Sequence, residues 1–489
     1  MTALSSATLS ELQVPTPGYD RAAARVGIVH FGFGNFHRSH QAMYLDALME
    51  IGGGQDWGIC GVGVMPHDTV MRDAMHAQDV LYTLVVRHPD GSLEPRVIGS
   101  ALEFLYGPDD PDAVHARLLD PAVRIVSLTV TEGGYLKNPA TGEFDPLDPA
   151  VVHDVDHLDT PRTVFAYIVE GLRRRRDAGL APFTVLSCDN LQGNGDVCRQ
   201  TVTEFARLVD PGLADWIADA VVFPNGMVDR ITPATTDADR EALSRDFGIE
   251  DRWPVPAEPF TQWIVEDHFP LGRPALEEVG VQFVEDVGPY ELMKLRLLNA
   301  THQALAYLAA PLGETLVHEA MRDQHVVRFL ERYMADEAAP TLGDLPGIDL
   351  DDYMATLIER YSNPGIRDTL VRLATDGSNR MPTFTLPAIR ANLAAGRPVV
   401  LGAAMCAAWA EYWRLVGTGE ISGDEVPDDV KADAMRVAAL DGDPAAFIEQ
   451  RDLFGEVADD DRFRTAFLDA RRSLRERGVH ATVDALLGT

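Results

Sequence analysis

Lysine is almost absent from this chain. Only Lys137, Lys294 and Lys431 occur among 42 basic residues, and arginine fills the rest. Basic charge as a whole is outweighed, because 76 acidic residues leave a formal charge of −34. Such a balance argues against a nucleic acid or an anionic membrane held by nonspecific electrostatics. Cysteine is scarce as well: Cys60, Cys188, Cys198 and Cys406 form no CxxC pair. They are expected to be free thiols of a reducing cytoplasm, not a disulfide frame or a zinc ribbon. No apolar run reaches the roughly 18–20 residues that span a bilayer. The opening MTALSSATLSELQVPTPGYD lacks a basic segment followed by an apolar one, so no secretory signal is expected. No period of 20–50 residues recurs, which excludes a solenoid.

What is present is a globular pattern: 489 residues, 46% of them hydrophobic, enough for two or more domains with a large core. Strand signals at 25–34, 57–65, 123–135, 183–190 and 220–229 alternate with helical ones such as 36–52. This alternation predicts an α/β fold with a parallel sheet covered by helices. From about residue 286 the strand signals nearly vanish. Helical patterns follow at 288–309, 324–337, 350–361, 364–375, 401–416 and 460–476. The expected division is therefore 1–285 for the α/β domain and 286–489 for a mostly helical one. RRRR at 173–176 is expected at the solvated C-terminal end of a helix, where cations suit the dipole.

The stretch VGIVHFGFGNFHRSHQ places Gly32 and Gly34 after a strand and before a helix. Backbone N–H groups and a helix N-terminus can approach a pyrophosphate there. The third glycine of GxGxxG is missing, with His37 in its place, and a glycine turn at such a junction also occurs for packing alone. Asp68, just past the second strand signal, suits the two ribose hydroxyls of an adenosine and repels a 2′-phosphate, which favours NAD over NADP. Arg72, four residues on, would soften that discrimination. His37 and His40 are expected to pack rather than bind metal. HDVDH at 153–157 falls in a polar loop, and no Cys/His/Glu set has metal-ligand spacing, so no metal is expected.

In PYELMKLRLLNATHQALAYL (289–308), Lys294, Glu291, His302 and Asn299 interrupt an apolar helix. At about 100° per residue they project at roughly 0°, 60°, 80° and 140°, one sector of the helix. A polar stripe with Lys294 paired to Glu291 would explain this. The scarcity of lysine favours another account. Arginine keeps its proton at any accessible pH, whereas a desolvated lysine can lose one. Oxidising an alcohol needs a base for the hydroxyl proton as hydride leaves. Lys294 is thus the candidate acid/base, with Asn299 and His302 able to hold the same oxygen. Glu291, one turn earlier, can pass protons to solvent or keep Lys294 charged and oriented.

With TVTEGGY (129–135), SCDNLQGNG (187–195), FPNGMVDRITP (223–233), EPFTQWIVEDHFPLGRP (258–274) and KLRLLNATH (294–302), the chain resembles the polyol-specific long-chain dehydrogenases over nearly its whole length. The resemblance implies a Rossmann-type, doubly wound N-terminal domain and a helical C-terminal domain, with the active site in the cleft between them. It implies NAD-dependent, metal-independent oxidation of a secondary alcohol. The first choice is interconversion of D-mannitol and D-fructose, and the alternatives are fructuronate reduction or oxidation of D-arabinitol or sorbitol. Carried over by position, Lys294 is the acid/base, Asn190 and Asn299 stabilise the reacting oxygen, and His302 orients the substrate. Asp229, Arg372 and Arg380 line the polyol site. Gly32, Gly34, Arg38 and Asp68 match the nucleotide pattern, and Glu132 is expected in the cofactor crevice. The resemblance also implies a monomer in the cytoplasm, with a polyol or ketose as its only partner.

Overall fold

Apolar runs such as VGIVHF and IVSL, rich in β-branched residues, form strands buried on both faces of a sheet. The structure, a computed structural model, describes residues 1–138 and 142–488 and divides into two compact units, Met1–Val287 and Gly288–Thr489. In the first unit, β1 (Val26–Phe31), β2 (Gly58–Gly63), β3 (Ala101–Tyr106), β4 (Ile125–Leu128) and β5 (Thr184–Ser187) form one sheet. Their order is β3-β2-β1-β4-β5, with every neighbouring pair parallel. This is the Rossmann-type order, whose topological switch point lies between β1 and β4.

Side chains alternate along these strands, so each strand feeds two cores. Val29 and Phe31 of β1 and Val126 and Leu128 of β4 pack with Phe165 and Ile168 of a helix at Val164–Asp177. Ile59 and Ile125 join the other cluster, with Leu45, Leu48 and Met75. Those residues come from α1 (Asn35–Ser39), α2 (Gln41–Glu50) and α3 (Asp68–Ala77), or pack beside them. The single helix predicted over 36–52 is broken at His40 (φ −120°, ψ −90°), whose Nε2 pairs with the Gln262 carbonyl at 2.8 Å.

The strand predicted at 220–229 does not extend the parallel sheet. Pro224 has no N–H to donate, and only β6 (Gly226–Asp229) is a strand. It pairs antiparallel with β7 (Gln262–Glu266), which pairs parallel with β8 (Gln282–Val284). A hairpin, Tyr82–Arg87 with Leu93–Ile98, carries Val255–Ala257 on its edge and has no counterpart in the sequence expectations. HDVDH lies in a helix, Pro149–Asp156, not a loop: buried Asp154 accepts the Arg162 and Thr163 N–H groups and so ties down the helix's C-terminal side. Nor is RRRR wholly solvated. Arg175 is buried and donates to the Leu118, Val123 and Ala181 carbonyls, while Arg173 and Arg174 pair with buried Glu170.

The second unit is helical. Its main helices are α4 (Gly288–Lys294), α5 (Ala300–Ala309), α6 (Gln324–Tyr333), α7 (Leu350–Tyr361), α8 (Val400–Thr418) and α9 (Asp461–Leu487). Buried from Leu401 to Trp413, α8 forms the centre and packs on α9 and α5. The helix predicted over 364–375 shrinks to Leu370–Ala374, capped by the Thr369 hydroxyl, because Pro364 and Gly365 disfavour helix before it. Three π-helical turns, Leu295–Asn299, Met334–Ala338 and Met381–Thr385, interrupt the α-helices, and the first packs against both others. All four cysteines are buried and free. Among the described residues no helix is long and apolar enough to cross a membrane.

Candidate active site

The first unit gathers its polar candidates at the C-terminal ends of β1, β2, β4 and β5, the edge where parallel sheets bind ligands. Gly32 follows β1 with φ +87°, and a Cβ there would stand 2.0 Å from the Thr129 carbonyl oxygen. Only glycine fits both the torsion and the space. The Gly34 N–H donates to the Gly32 carbonyl at 2.7 Å, and Gly34 leads directly into α1. A cluster of side chains fixes this turn from below. Thr129 Oγ1 donates to the Gly32 carbonyl at 2.7 Å. His30 bonds Thr129 Oγ1 at 3.0 Å and Ser127 Oγ at 2.8 Å, and stacks on His37 with ring centroids 3.4 Å apart. Burial pushes His30 down to about 3 and His37 well below its ordinary value. Both rings are therefore neutral packing and hydrogen-bonding posts.

Asp68 opens α3 immediately beyond β2, where its Oδ2 accepts the Val64 and Met65 N–H groups, each at 2.9 Å. Arg72 does not offset it: its guanidinium bonds Asp73 and Asp109 and lies over the Tyr106 ring. Arg38 is wholly buried, donating to the Trp253 carbonyl at 2.7 Å and to Asn35 Oδ1 at 2.8 Å. Burial lowers it to about 10, so it stays charged at neutral pH. Its Nε is buried without a hydrogen-bond partner, and its charge adds to the field at the turn.

Glu132 is exposed in the short 3₁₀ turn after β4. Thr131 before it has φ +61°, a torsion that costs about 1–3 kcal/mol in a threonine. Asp189, at the end of β5, holds that conformation: its carboxylate accepts the Val130 N–H at 3.2 Å, the Thr131 N–H at 2.8 Å and the Tyr135 hydroxyl at 2.8 Å. Burial raises Asp189 while these bonds lower it. Its neighbour Asn190 is exposed. The Asn194 side chain then donates to the Asp189 and Gly226 carbonyls and accepts the Gly226 N–H, which fixes the start of β6. Buried Asp229 ends that strand opposite Gln262. Asp189 and Asn194 had escaped the sequence reading, although both lie inside the quoted SCDNLQGNG.

In the second unit Lys294, Asn299 and Glu291 are buried and His302 is half-buried. Lys294 is the last residue of α4, and the π turn Leu295–Asn299 separates it from α5. An i→i+5 turn holds about one residue more than an α turn, so Asn299 lies closer to the azimuth of Lys294 than a straight α-helix predicts. Such a turn strains the carbonyl ladder, and two hydroxyls answer it. Thr301 donates to the Leu297 and Leu298 carbonyls, and Tyr361 of α7 donates to Leu298 at 3.2 Å while bonding Thr301 at 2.8 Å. The Tyr361 ring also packs 4.9 Å from that of His302. Neither hydroxyl was evident from spacing along the chain.

Arg372 is exposed and pairs with Asp368 one helical turn before it. Arg380 Nη1 donates to the Arg372 and Leu373 carbonyls at 3.1 and 3.2 Å. Arg380 immediately precedes the third π turn, which packs on the lysine's.

Two family models match the chain: the mannitol dehydrogenase Rossmann domain over residues 26–278 and the mannitol dehydrogenase C-terminal domain over residues 286–474. The mannitol 2-dehydrogenase of Phaeosphaeria nodorum is 44% identical over 485 residues, covering 98% of this chain and 85% of that one. That of Cereibacter sphaeroides is 44% identical over 476 residues, covering 97% and 99%. Among solved structures, the chain is similar to Pseudomonas fluorescens mannitol 2-dehydrogenase in ternary complex with NAD and D-mannitol. The TM-score is 0.85 at 43% identity, with 100% of both chains covered. It is similar also to a D-sorbitol dehydrogenase in substrate-free form, with a TM-score of 0.91 at 37% identity, covering 99% and 100%.

Proposed function

The chain belongs to the mannitol dehydrogenase family, and from that premise we propose that it interconverts D-mannitol and D-fructose with NAD by hydride transfer at C2. The glycine turn and Asp68 fit a dinucleotide: a Cβ at Gly34 would meet nothing nearer than 3.9 Å, which leaves space beside the turn, and Asp68 is pinned at the end of β2. NAD, when bound, supplies the hydride acceptor. Gly32 fixes the turn, Gly34 leaves space beside it for the pyrophosphate, and Arg38 adds positive field. Asp68 accepts the ribose hydroxyls, and Glu132 borders the same crevice.

Residues 1–285 thus hold the nucleotide, and residues 286–489 supply the proton chemistry. Lys294 takes the hydroxyl proton during oxidation and returns it during reduction. Asn190 and Asn299 donate to the oxygen as it gains charge. His302 orients it, and Asp229, Arg372 and Arg380 hold the remaining hydroxyls. This proton transfer asks for no metal. The enzyme acts as a cytoplasmic monomer, a setting that suits four buried free thiols. A related ketose–polyol pair is the second choice, favoured by the similarity to a D-sorbitol dehydrogenase.

The observation that carries the proposal is Lys294 itself, one of three lysines in the chain, buried and leading straight into a π turn that ends at Asn299. Lys294→Arg keeps the charge and removes the base. It and Lys294→Ala should each lower turnover by about 10²–10⁴-fold with NADH affinity intact, assayed on mannitol, arabinitol, sorbitol, fructose and fructuronate. Near-normal turnover in either variant refutes the assignment. Glu291 relays the proton onward, and Glu291→Ala should slow proton release and alter the solvent isotope effect; an unchanged rate of release removes the relay.

A further inference from the structure

No metal-ligand spacing is visible along the sequence, yet the fold assembles three ligands, one carboxylate and two imidazoles, from residues up to 157 apart. We propose that Asp323, His325 and His480 form a binding site for a divalent transition-metal ion of the zinc type, which clips the last turns of the chain to α6. Asp323 caps α6 through the His325 N–H at 2.8 Å, and His325 sits in the first turn. His480 arrives from α9, where Gly478 breaks the helix with φ 80° and ψ −179°. That glycine-only torsion re-aims the final turns and places the imidazole beside Asp323.

The donor set, one carboxylate and two imidazoles, suits zinc. Two ligands about 2.0–2.1 Å from a tetrahedral Zn²⁺ stand roughly 3.3 Å from each other. Here His325 Nδ1 lies 3.2 Å from Asp323 Oδ1, close to that spacing, whereas His480 Nε2 hydrogen-bonds Asp323 Oδ2 at 2.5 Å, a contact that an ion would replace and open. Candidate ligand atoms of all three residues lie within 4.8 Å of one another. A second feature is independent of the donors. If His325 ligates through Nδ1, its Nε2 faces Asp484 Oδ1 at 3.4 Å, the carboxylate–histidine–metal arrangement that orients a ligating imidazole. Arg328 pairs with the same carboxylate at 3.3 Å and so holds it in place. The two rings stack with centroids 4.4 Å apart. His480 is 51% exposed, which leaves an entry path and room for a water as fourth ligand. The site is structural, and polyol turnover does not depend on it.

Untagged, chelator-treated full-length protein should bind one Zn²⁺ per chain in calorimetry at pH 7.5, with a rise in its unfolding temperature. Co²⁺ should give the visible absorption of a four-coordinate N/O site. His480→Ala and His325→Ala, both at partly exposed positions, should each weaken Zn²⁺ at least tenfold, and Asp484→Asn about 10-fold or more, with mannitol turnover unchanged. Absence of binding at about 0.1 mM Zn²⁺, or binding that both histidine variants keep, overturns the site. Because turnover is read separately, failure here leaves the dehydrogenase proposal standing.

Discussion

Gly32→Ala and Gly34→Ala separate what the glycine turn does for the fold from what it does for a ligand. At Gly32 the torsion of +87° costs an L-residue about 1–2 kcal/mol. The added Cβ would lie 2.0 Å from the Thr129 carbonyl oxygen, a backbone atom just beyond β4 that cannot swing aside like a side chain. Forcing such an overlap costs about 1–3 kcal/mol more. If the turn relaxes by giving up the Thr129 Oγ1 bond to the Gly32 carbonyl, that loss adds about 1 kcal/mol. The expected destabilisation is about 2–6 kcal/mol. Gly34 differs: it has ordinary extended torsions (φ −81°, ψ −173°), and its Cβ would meet nothing nearer than 3.9 Å. Gly34→Ala should cost about 1 kcal/mol or less, chiefly from a poorer N-cap.

Urea unfolding followed by tryptophan fluorescence measures the first quantity, since four of the six tryptophans, Trp57, Trp216, Trp253 and Trp263, lie in the first unit. Titration with NADH under native conditions measures the second. Both variants should bind NADH at least tenfold more weakly, Gly32→Ala because the turn moves and Gly34→Ala because a methyl group occupies space meant for the pyrophosphate. A Gly32→Ala protein destabilised by less than 1 kcal/mol would refute the steric account. Wild-type NADH affinity in Gly34→Ala would remove the dinucleotide from this turn.

Two further substitutions probe supports that do not themselves touch a ligand. Asp189→Asn exchanges a carboxylate accepting three donors for a carboxamide whose NH₂ opposes one of them. It should cost about 1–3 kcal/mol, relax Thr131 and raise the KM for NAD, read by thermal unfolding and steady-state kinetics; an unchanged KM would separate Asp189 from the cofactor crevice. Tyr361→Phe removes one hydroxyl from the π turn at about 1 kcal/mol, and should lower kcat more than it changes NADH affinity. Lost stability with unaltered kcat would show that the turn is not tied to proton transfer.

What could be read from the sequence was local. The β1, β2, β4 and β5 runs are mainly apolar and carry no acidic residue, lysine or arginine, which suits strands covered on both faces, and glycines at the end of β1 mark the switch point. The hairpin at 82–98 was missed because YTLVVR and LEPRVI mix apolar, charged and proline positions, as partly exposed strands do. The π turn was invisible for a different reason: LRLLN satisfies the apolar stripe whether the turn holds four residues or five, so periodicity cannot report an inserted residue. Arg175 escaped because a run of four arginines looks solvated, although a guanidinium can be buried when backbone carbonyls accept its protons.

The lysine signal came from rarity rather than position. Where arginine serves nearly every cationic role, a lysine draws attention to chemistry that a guanidinium cannot perform, and Lys431 tests that inference. Half-buried Lys431 pairs with Asp452 at 2.7 Å, a contact arginine would make equally well, so rarity alone does not assign function. Burial at the edge of a π turn distinguishes Lys294 from Lys431, and that distinction required the fold.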